Sequence, residues 1–121
     1  MLKAILIVDD SESTREILSY VLKFEGFEVF SSVDGLDALR VLSGRSIDLV
    51  ITDLNMPNMD GFALIKKIRT MPQYYNTPII LLTIESSEEK KNKAKEVGAN
   101  GWIIKPFQKE ELLNAVNKFI G

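Results

Sequence analysis

A chain of 121 residues fits one compact domain, and dividing it in two would leave each half too small for a good core. Apolar residues are 45% and charged residues 26%, a globular balance, and 15 Lys+Arg against 17 Asp+Glu give a net charge of −2, which argues against direct nucleic-acid binding. There is no Cys and no His, so disulfides, thiolate nucleophiles, imidazole metal sites and Ser-His-Asp triads are all excluded. Any metal must be held by oxygen, and any acid–base work must fall to Asp, Glu, Lys or Tyr.

The apolar run Met1 to Val8 meets Asp9-Asp10 directly, too early for a signal peptide. No apolar stretch approaches the ~20 residues of a membrane span. The expectation is a soluble cytoplasmic protein with no membrane partner.

In chain order, the first strand is read at Ala4–Val8. The first helix carries Ile17, Leu18, Val21 and Leu22, with a capping-box signal at Ser13-x-x-Glu16 and Gly26 at its end. Across Gly26–Ser32, Phe27, Val29 and Ser31 alternate with Glu28, Phe30 and Ser32, which suits a less buried edge strand. Leu36, Leu39 and Leu42 mark a second helix, closed near Gly44. Ile47–Ile51 is a third strand, and Phe62, Ile65 and Ile68 mark a third helix. Pro78–Leu82 is a fourth strand, and Ser86-x-x-Glu89 opens a fourth helix that Gly98 ends. Trp102–Ile104 is a fifth strand, followed by a helix through Leu112, Leu113, Val116 and Ile120.

Four of the five strands are continuously apolar, as strands buried on both faces are. Five βα units in sequence predict an α/β sandwich, a (βα)5 fold with helices on both faces of a parallel sheet. Right-handed crossovers and a polar second strand predict the order 2-1-3-4-5, a flavodoxin-like arrangement. The fourth helix offers only Ala94 within it and Val97 just beyond as apolar anchors, so it is predicted to pack weakly and to be able to move.

In such sheets ligands bind beyond the carboxyl ends of the strands, where the strand order switches. Strand 1 ends in Asp9-Asp10 and strand 3 in Asp53, so three carboxylates converge there. Two unit charges ~4 Å apart repel by about 4 kcal/mol at an effective dielectric of ~20. A cation must offset that, and Mg²⁺ (or Mn²⁺) suits carboxylates, carbonyls and water. Thr83 ends strand 4 and Lys105 ends strand 5, bringing a hydroxyl and a positive charge to the same rim.

These residues and their neighbours resemble a response-regulator receiver domain over essentially the full length. The resemblance rests on Ile7-Val8-Asp9-Asp10, Thr52-Asp53-Leu54-Asn55-Met56-Pro57, Asp60-Gly61, Leu82-Thr83 and Lys105-Pro106-Phe107. Asp53 lies 43 positions after Asp10, Thr83 lies 30 after Asp53, and Lys105 lies 22 after Thr83.

The resemblance implies roles. Asp53 would be the phosphoacceptor, taking a phosphoryl group from a partner histidine kinase or phosphotransfer domain. Asp10, Asp53 and the backbone carbonyl of Asn55 would hold Mg²⁺ directly, and Asp9 through water. Lys105 would pair with a phosphoryl oxygen, Thr83 would hydrogen-bond another, and Lys105-Pro106 would be cis. Trp102 would be an aromatic switch, remodelling the face formed by helix 4, strand 5 and helix 5 for a downstream target. Asn55 to Gly61 is similar to chemotaxis-type (CheY-like) regulators that bind the flagellar motor switch.

Three positions depart from the family pattern. Trp102 replaces a smaller aromatic. Ile84 follows the threonine where a small residue is usual, and is read as an access gate that slows phosphotransfer, hydrolysis or both. Gln108 is a weak cap for helix 5. Lys90, Lys91, Lys93 and Lys95 form a basic cluster on helix 4, read as a solvated face paired with Glu88, Glu89 and Glu96, or as a dock for an acidic partner.

The chain ends at Gly121 without an output domain, so a stand-alone regulator is expected, monomeric with dimerisation on activation open. Within the family the alternatives are a phosphorelay intermediate or an excised receiver. A small Mg-dependent aspartyl phosphatase of the haloacid-dehalogenase kind needs a second Asp two residues after its nucleophile, and position 55 is Asn. A flavodoxin-like electron carrier would find Asp9-Asp10 where it needs a phosphate loop. The expectation is a phosphoacceptor switch rather than an enzyme.

Overall fold

A computed structural model describes residues 2–121; Met1, the first residue of the apolar N-terminal run, lies outside the described residues. The elements in order are β1 (Ala4–Val8), α1 (Glu12–Phe24), β2 (Glu28–Ser32), α2 (Gly35–Gly44), β3 (Leu49–Thr52), α3 (Gly61–Thr70), a 3₁₀ turn at Pro72–Tyr74, β4 (Ile79–Thr83), α4 (Glu88–Val97), β5 (Gly101–Ile104) and α5 (Lys109–Ile120). The strands are parallel in the order β2-β1-β3-β4-β5, which is the predicted order.

Strand alternation divides the core in two. Ala4, Leu6 and Val8 of β1 face one way, onto Ala38 and Leu42 of α2, Leu64, Ile65 and Ile68 of α3, and Ala94 of α4. Ile5 and Ile7 face the other way, onto Leu18 and Leu22 of α1 and Leu112 and Val116 of α5. Each fully buried Leu or Ile contributes about 1.5–3 kcal/mol. β1, β3 and β4 have both faces covered and are buried throughout, whereas β2 lies on the edge with Glu28 and Ser31 exposed.

The helix starts depart from two predicted caps. Ser11, not Ser13, caps α1, with its Oγ accepting from the Thr14 amide. The cause lies one turn upstream: the Ser11 amide donates to Asp9 Oδ1 at 2.9 Å, which turns the chain into the helix two residues early. Ser87, not Ser86, caps α4. Asp34 and Asp60 cap α2 and α3 by accepting from the Asp37 and Ala63 amides. Gln108 makes no side-chain cap, as its chemistry led us to expect.

The 3₁₀ turn was not foreseen. It buries Tyr74, whose hydroxyl donates to the carbonyls of Leu42 and Arg45 at the end of α2. α4 buries only Ala94 and ends on Gly98 in the left-handed region at φ 111°. There Arg69 of α3 donates to the Gly98 carbonyl and Asn100 Oδ1 and, from its other amino group, to the Thr77 carbonyl. The C-terminal end of α4 is thus tied down, while the helix body is thinly anchored. No helix of the described residues is long and apolar enough to cross a membrane.

Candidate functional site

The central strands deliver the site. β1 and β3 are hydrogen-bonded neighbours, so the residues following them emerge side by side at the carboxyl edge. Asp9, Asp10 and Asp53 each present an oxygen, all within 4.8 Å of one another. Asp9 is 2% exposed and Asp53 is 9% exposed, while Asp10 is open to solvent.

Backbone donors and one lysine hold the two buried carboxylates. Asp9 Oδ1 accepts from the Ser11 amide, and Asp53 Oδ1 from the Leu54 amide at 2.7 Å. Lys105 Nζ lies 2.8 Å from Asp9 Oδ2 and 3.3 Å from Asp53 Oδ2. Arg15 also reaches the site, donating to the Asp9 carbonyl at 2.7 Å. Sequence reading missed Arg15, although its place one turn into α1 was a usable signal.

The electrostatics follow from burial and crowding. Burial pushes the Asp53 carboxyl above its ordinary value; Lys105 opposes this and Asp9 reinforces it. Burial alone would lower Lys105, but its hydrogen bond to Asp9 and the charges of Asp53 and Asp9 hold it above its ordinary value. One ammonium therefore serves two carboxylates, and the exposed Asp10 adds a third negative charge.

The donor set fits a hard divalent cation. Three carboxylate oxygens within 4.8 Å, with one lysine against them, leave negative charge uncompensated. Both oxygens of Asp9 and both of Asp53 already accept hydrogen bonds, whereas the Asp10 carboxylate makes none among the described residues. Asp10 is therefore the carboxylate whose oxygens are free, and Asp9 and Asp53 stand beside it with theirs already shared.

Behind the site, α3 approaches too closely for a side chain at its first residue. A Cβ on Gly61 would lie 2.6 Å from the Asp53 carbonyl oxygen, and the Gly61 amide donates to the Leu54 carbonyl at 2.7 Å. Gly61 thus lets α3 back directly onto the loop that carries Asp53.

The remaining predicted residues take the following places. Thr83 is fully buried at the end of β4, and its Oγ1 accepts from the Glu85 amide. Lys105-Pro106 is cis. Trp102 is half-buried in β5 opposite Leu81, with a buried indole N–H that finds no hydrogen-bond partner among the described residues. Ile84 is exposed and lines an apolar groove with Ile17, Val21, Pro106 and Phe107. Asn55 sits on the β3–α3 loop, and its amide donates to Glu85 Oε1 at 3.4 Å.

The lysine cluster is not one surface. Lys90 pairs with Glu85 at 3.0 Å, and Lys93 lies over the Phe62 ring. Lys91 and Lys95 flank Trp102 in a recess with Ala94 and Ala99. Among the described residues none pairs with Glu88, Glu89 or Glu96, contrary to the expectation of pairing along the helix. Glu85 was also missed; it stands two residues after Thr83 as Asn55 stands two after Asp53.

A switch-point acidic site on a doubly wound sheet, with a lysine and a threonine on the adjoining strands, defines a class of signalling domain. The chain belongs to the response-regulator receiver family, matching the response regulator receiver domain over residues 5–117. It is 38% identical over 115 residues to the chemotaxis protein CheY-3 of Vibrio cholerae, covering 94% of this chain and 88% of that one. The structure of the V. cholerae chemotaxis protein CheY4 is similar at a TM-score of 0.96 with 42% identity, covering 99% of this chain and all of that one. A receiver domain of a Pseudomonas aeruginosa sensor histidine kinase, solved with magnesium coordinated in its active site cleft, matches at a TM-score of 0.91 with 26% identity over 100% of this chain and 99% of that one. The chain is therefore a receiver of the CheY type, in the two-component signalling class.

Proposed function

We propose that this protein is a phosphoryl-accepting switch of chemotaxis type, with Asp53 as the acceptor. The observation that carries this reading is the Asp53 carboxylate, nearly buried, with a raised pKa, 3.3 Å from Lys105 and beside two further carboxylates. A partner histidine kinase or phosphotransfer domain brings the phosphohistidine, since this chain has no His. An Asp53 oxygen forms the bond to phosphorus as the phosphorus–nitrogen bond breaks, and the imidazole leaves with the electron pair.

Asp10, Asp53 and the Asn55 carbonyl would hold Mg²⁺ or Mn²⁺, with Asp9 contributing through water. The ion supplies positive charge against the transferring phosphoryl oxygens. Lys105 turns from the Asp53 carboxylate to a phosphoryl oxygen, and the Thr83 hydroxyl donates to another. Thr83 then leaves the Glu85 amide, the β4–α4 loop shifts, and Trp102 and the thinly anchored α4 follow. The surface of α4, β5 and α5 is thereby changed for a downstream target, such as a motor-switch protein. The protein works in the cytoplasm without direct contact to nucleic acid or membrane.

Trp102 is the only tryptophan and tests the reading. Its fluorescence should change on Mg²⁺ titration and again with beryllofluoride, with the second change absent in Asp53→Asn. Identical beryllofluoride responses in both proteins would remove Asp53 from the role.

A further inference from the structure

We propose that Lys90 is a positioning residue for phosphoryl transfer to Asp53, holding the Glu85 carboxylate in a neutral strap across the mouth of the site. The inference rests on the reading of Asp53 as phosphoacceptor.

β3 and β4 are neighbours; Asn55 stands three residues beyond Thr52 at the end of β3, and Glu85 two beyond Thr83 at the end of β4. The two side chains meet: Asn55 Nδ2 donates to Glu85 Oε1 at 3.4 Å. Lys90 Nζ, from the first turn of α4, donates to the same oxygen at 3.0 Å. The strap therefore joins the β3–α3 loop, the β4–α4 loop and the start of α4. Its middle member is also tied through the backbone, because the Glu85 amide donates to Thr83 Oγ1.

A carboxylate at this position is a liability for the reaction. The incoming donor is an anion, and the rim already holds Asp9, Asp10 and Asp53 with Lys105 engaged by two of them. An ordinary glutamate is ionised at neutral pH, and both donors, Lys90 Nζ at 3.0 Å and Asn55 Nδ2 at 3.4 Å, meet Glu85 as an anionic acceptor. Lys90 is the one cation paired with it among the described residues. With Lys90 in place the donor meets a neutral pair; without it, the donor meets one more negative charge, and α4 loses a tie at its N-terminal end.

Acetyl phosphate, a dianion at neutral pH, and phosphoramidate, which carries a single net negative charge, test this in the full chain with Mg²⁺. With acetyl phosphate, an Asp53 oxygen bonds to phosphorus as the phosphorus–oxygen bond breaks and acetate leaves with the electron pair. Initial rates are read against donor concentration for wild type, Lys90→Met, Glu85→Gln and the double variant. Lys90→Met should lower the rate per unit of acetyl phosphate about fivefold at low salt, with a smaller loss for phosphoramidate. Glu85→Gln should restore the double variant to within about twofold of wild type, and Lys90→Arg should behave as wild type.

Equal rates for wild type and Lys90→Met would overturn the inference, as would a loss that persists in the Glu85→Gln background or is equal for both donors. A wild type that takes no phosphate from either donor would overturn the phosphoacceptor reading itself, and this inference with it. A phosphorylated wild type beside an unaffected Lys90→Met overturns the inference alone.

Discussion

Replacing Asp53 by Asn should stabilise the protein when no divalent cation is present. Asp53 sits within 4.8 Å of an oxygen on each of Asp9 and Asp10, so each repels it by about 3.5 kcal/mol at an effective dielectric of ~20. Lys105 at 3.3 Å attracts it by about 5 kcal/mol on the same basis. Two repulsions against one attraction leave about 2 kcal/mol unfavourable, before the cost of burying the charge. Asp10 is exposed, and solvent screening lowers its share, so the expected gain for Asp53→Asn is about 1–2 kcal/mol. In a chain of this size that raises the melting temperature by about 4–8 °C. The assay is thermal unfolding of both proteins in EDTA and again in excess Mg²⁺. The cation should raise wild type towards or past the variant, because it binds the folded site and offsets the charge there. An Asp53→Asn protein that melts below wild type in EDTA would refute the electrostatic reasoning.

Lys105→Met should destabilise by about 3–5 kcal/mol, since it strands two buried carboxylates. Because Lys105 is raised above its ordinary 10.5, its contribution is full below that pH and fades as pH rises through the elevated value. The gap between wild-type and Lys105→Met melting temperatures should therefore hold to about pH 10 and then narrow; a gap independent of alkaline pH would contradict this. Gly98→Ala should cost about 1–2 kcal/mol in denaturant unfolding, from the positive φ and from a Cβ placed 3.0 Å from Arg69 Nε. Ile84→Ala should speed phosphorylation by small donors, hydrolysis of the phosphoryl group, or both, and unchanged rates of each would remove the gate.

The features legible in the sequence were those with a strong local signal. The apolar runs of β1, β3 and β4 gave the strands to within two residues, because strands buried on both faces need such runs; β5 was located equally well, but it is the second edge strand, and of its residues only Ile103 is buried, contrary to the expectation from its apolar run. Asp9, Asp10, Asp53, Thr83 and Lys105 were legible because each directly follows or ends a strand, and parallel topology collects strand ends on one rim. The caps were less legible. Ser11 competes with Ser13, and only the bond from the Ser11 amide to Asp9 decides between them. Contacts between distant segments left no local trace. Arg69 binding Gly98 and Asn100, Tyr74 binding the end of α2, and Glu85 meeting Asn55 depend on packing between elements 25 or more residues apart. Lys90 shows the same limit: helical spacing suggested partners on its own helix, and the loop before the helix supplied Glu85 instead.

Mass spectrometry of the intact chain after incubation with phosphoramidate tests the central claim most directly. The account predicts one acid-labile phosphate per chain, formed only with Mg²⁺ or Mn²⁺ and absent from Asp53→Asn. Phosphate that forms equally in Asp53→Asn, or none in wild type with the cation present, would contradict it.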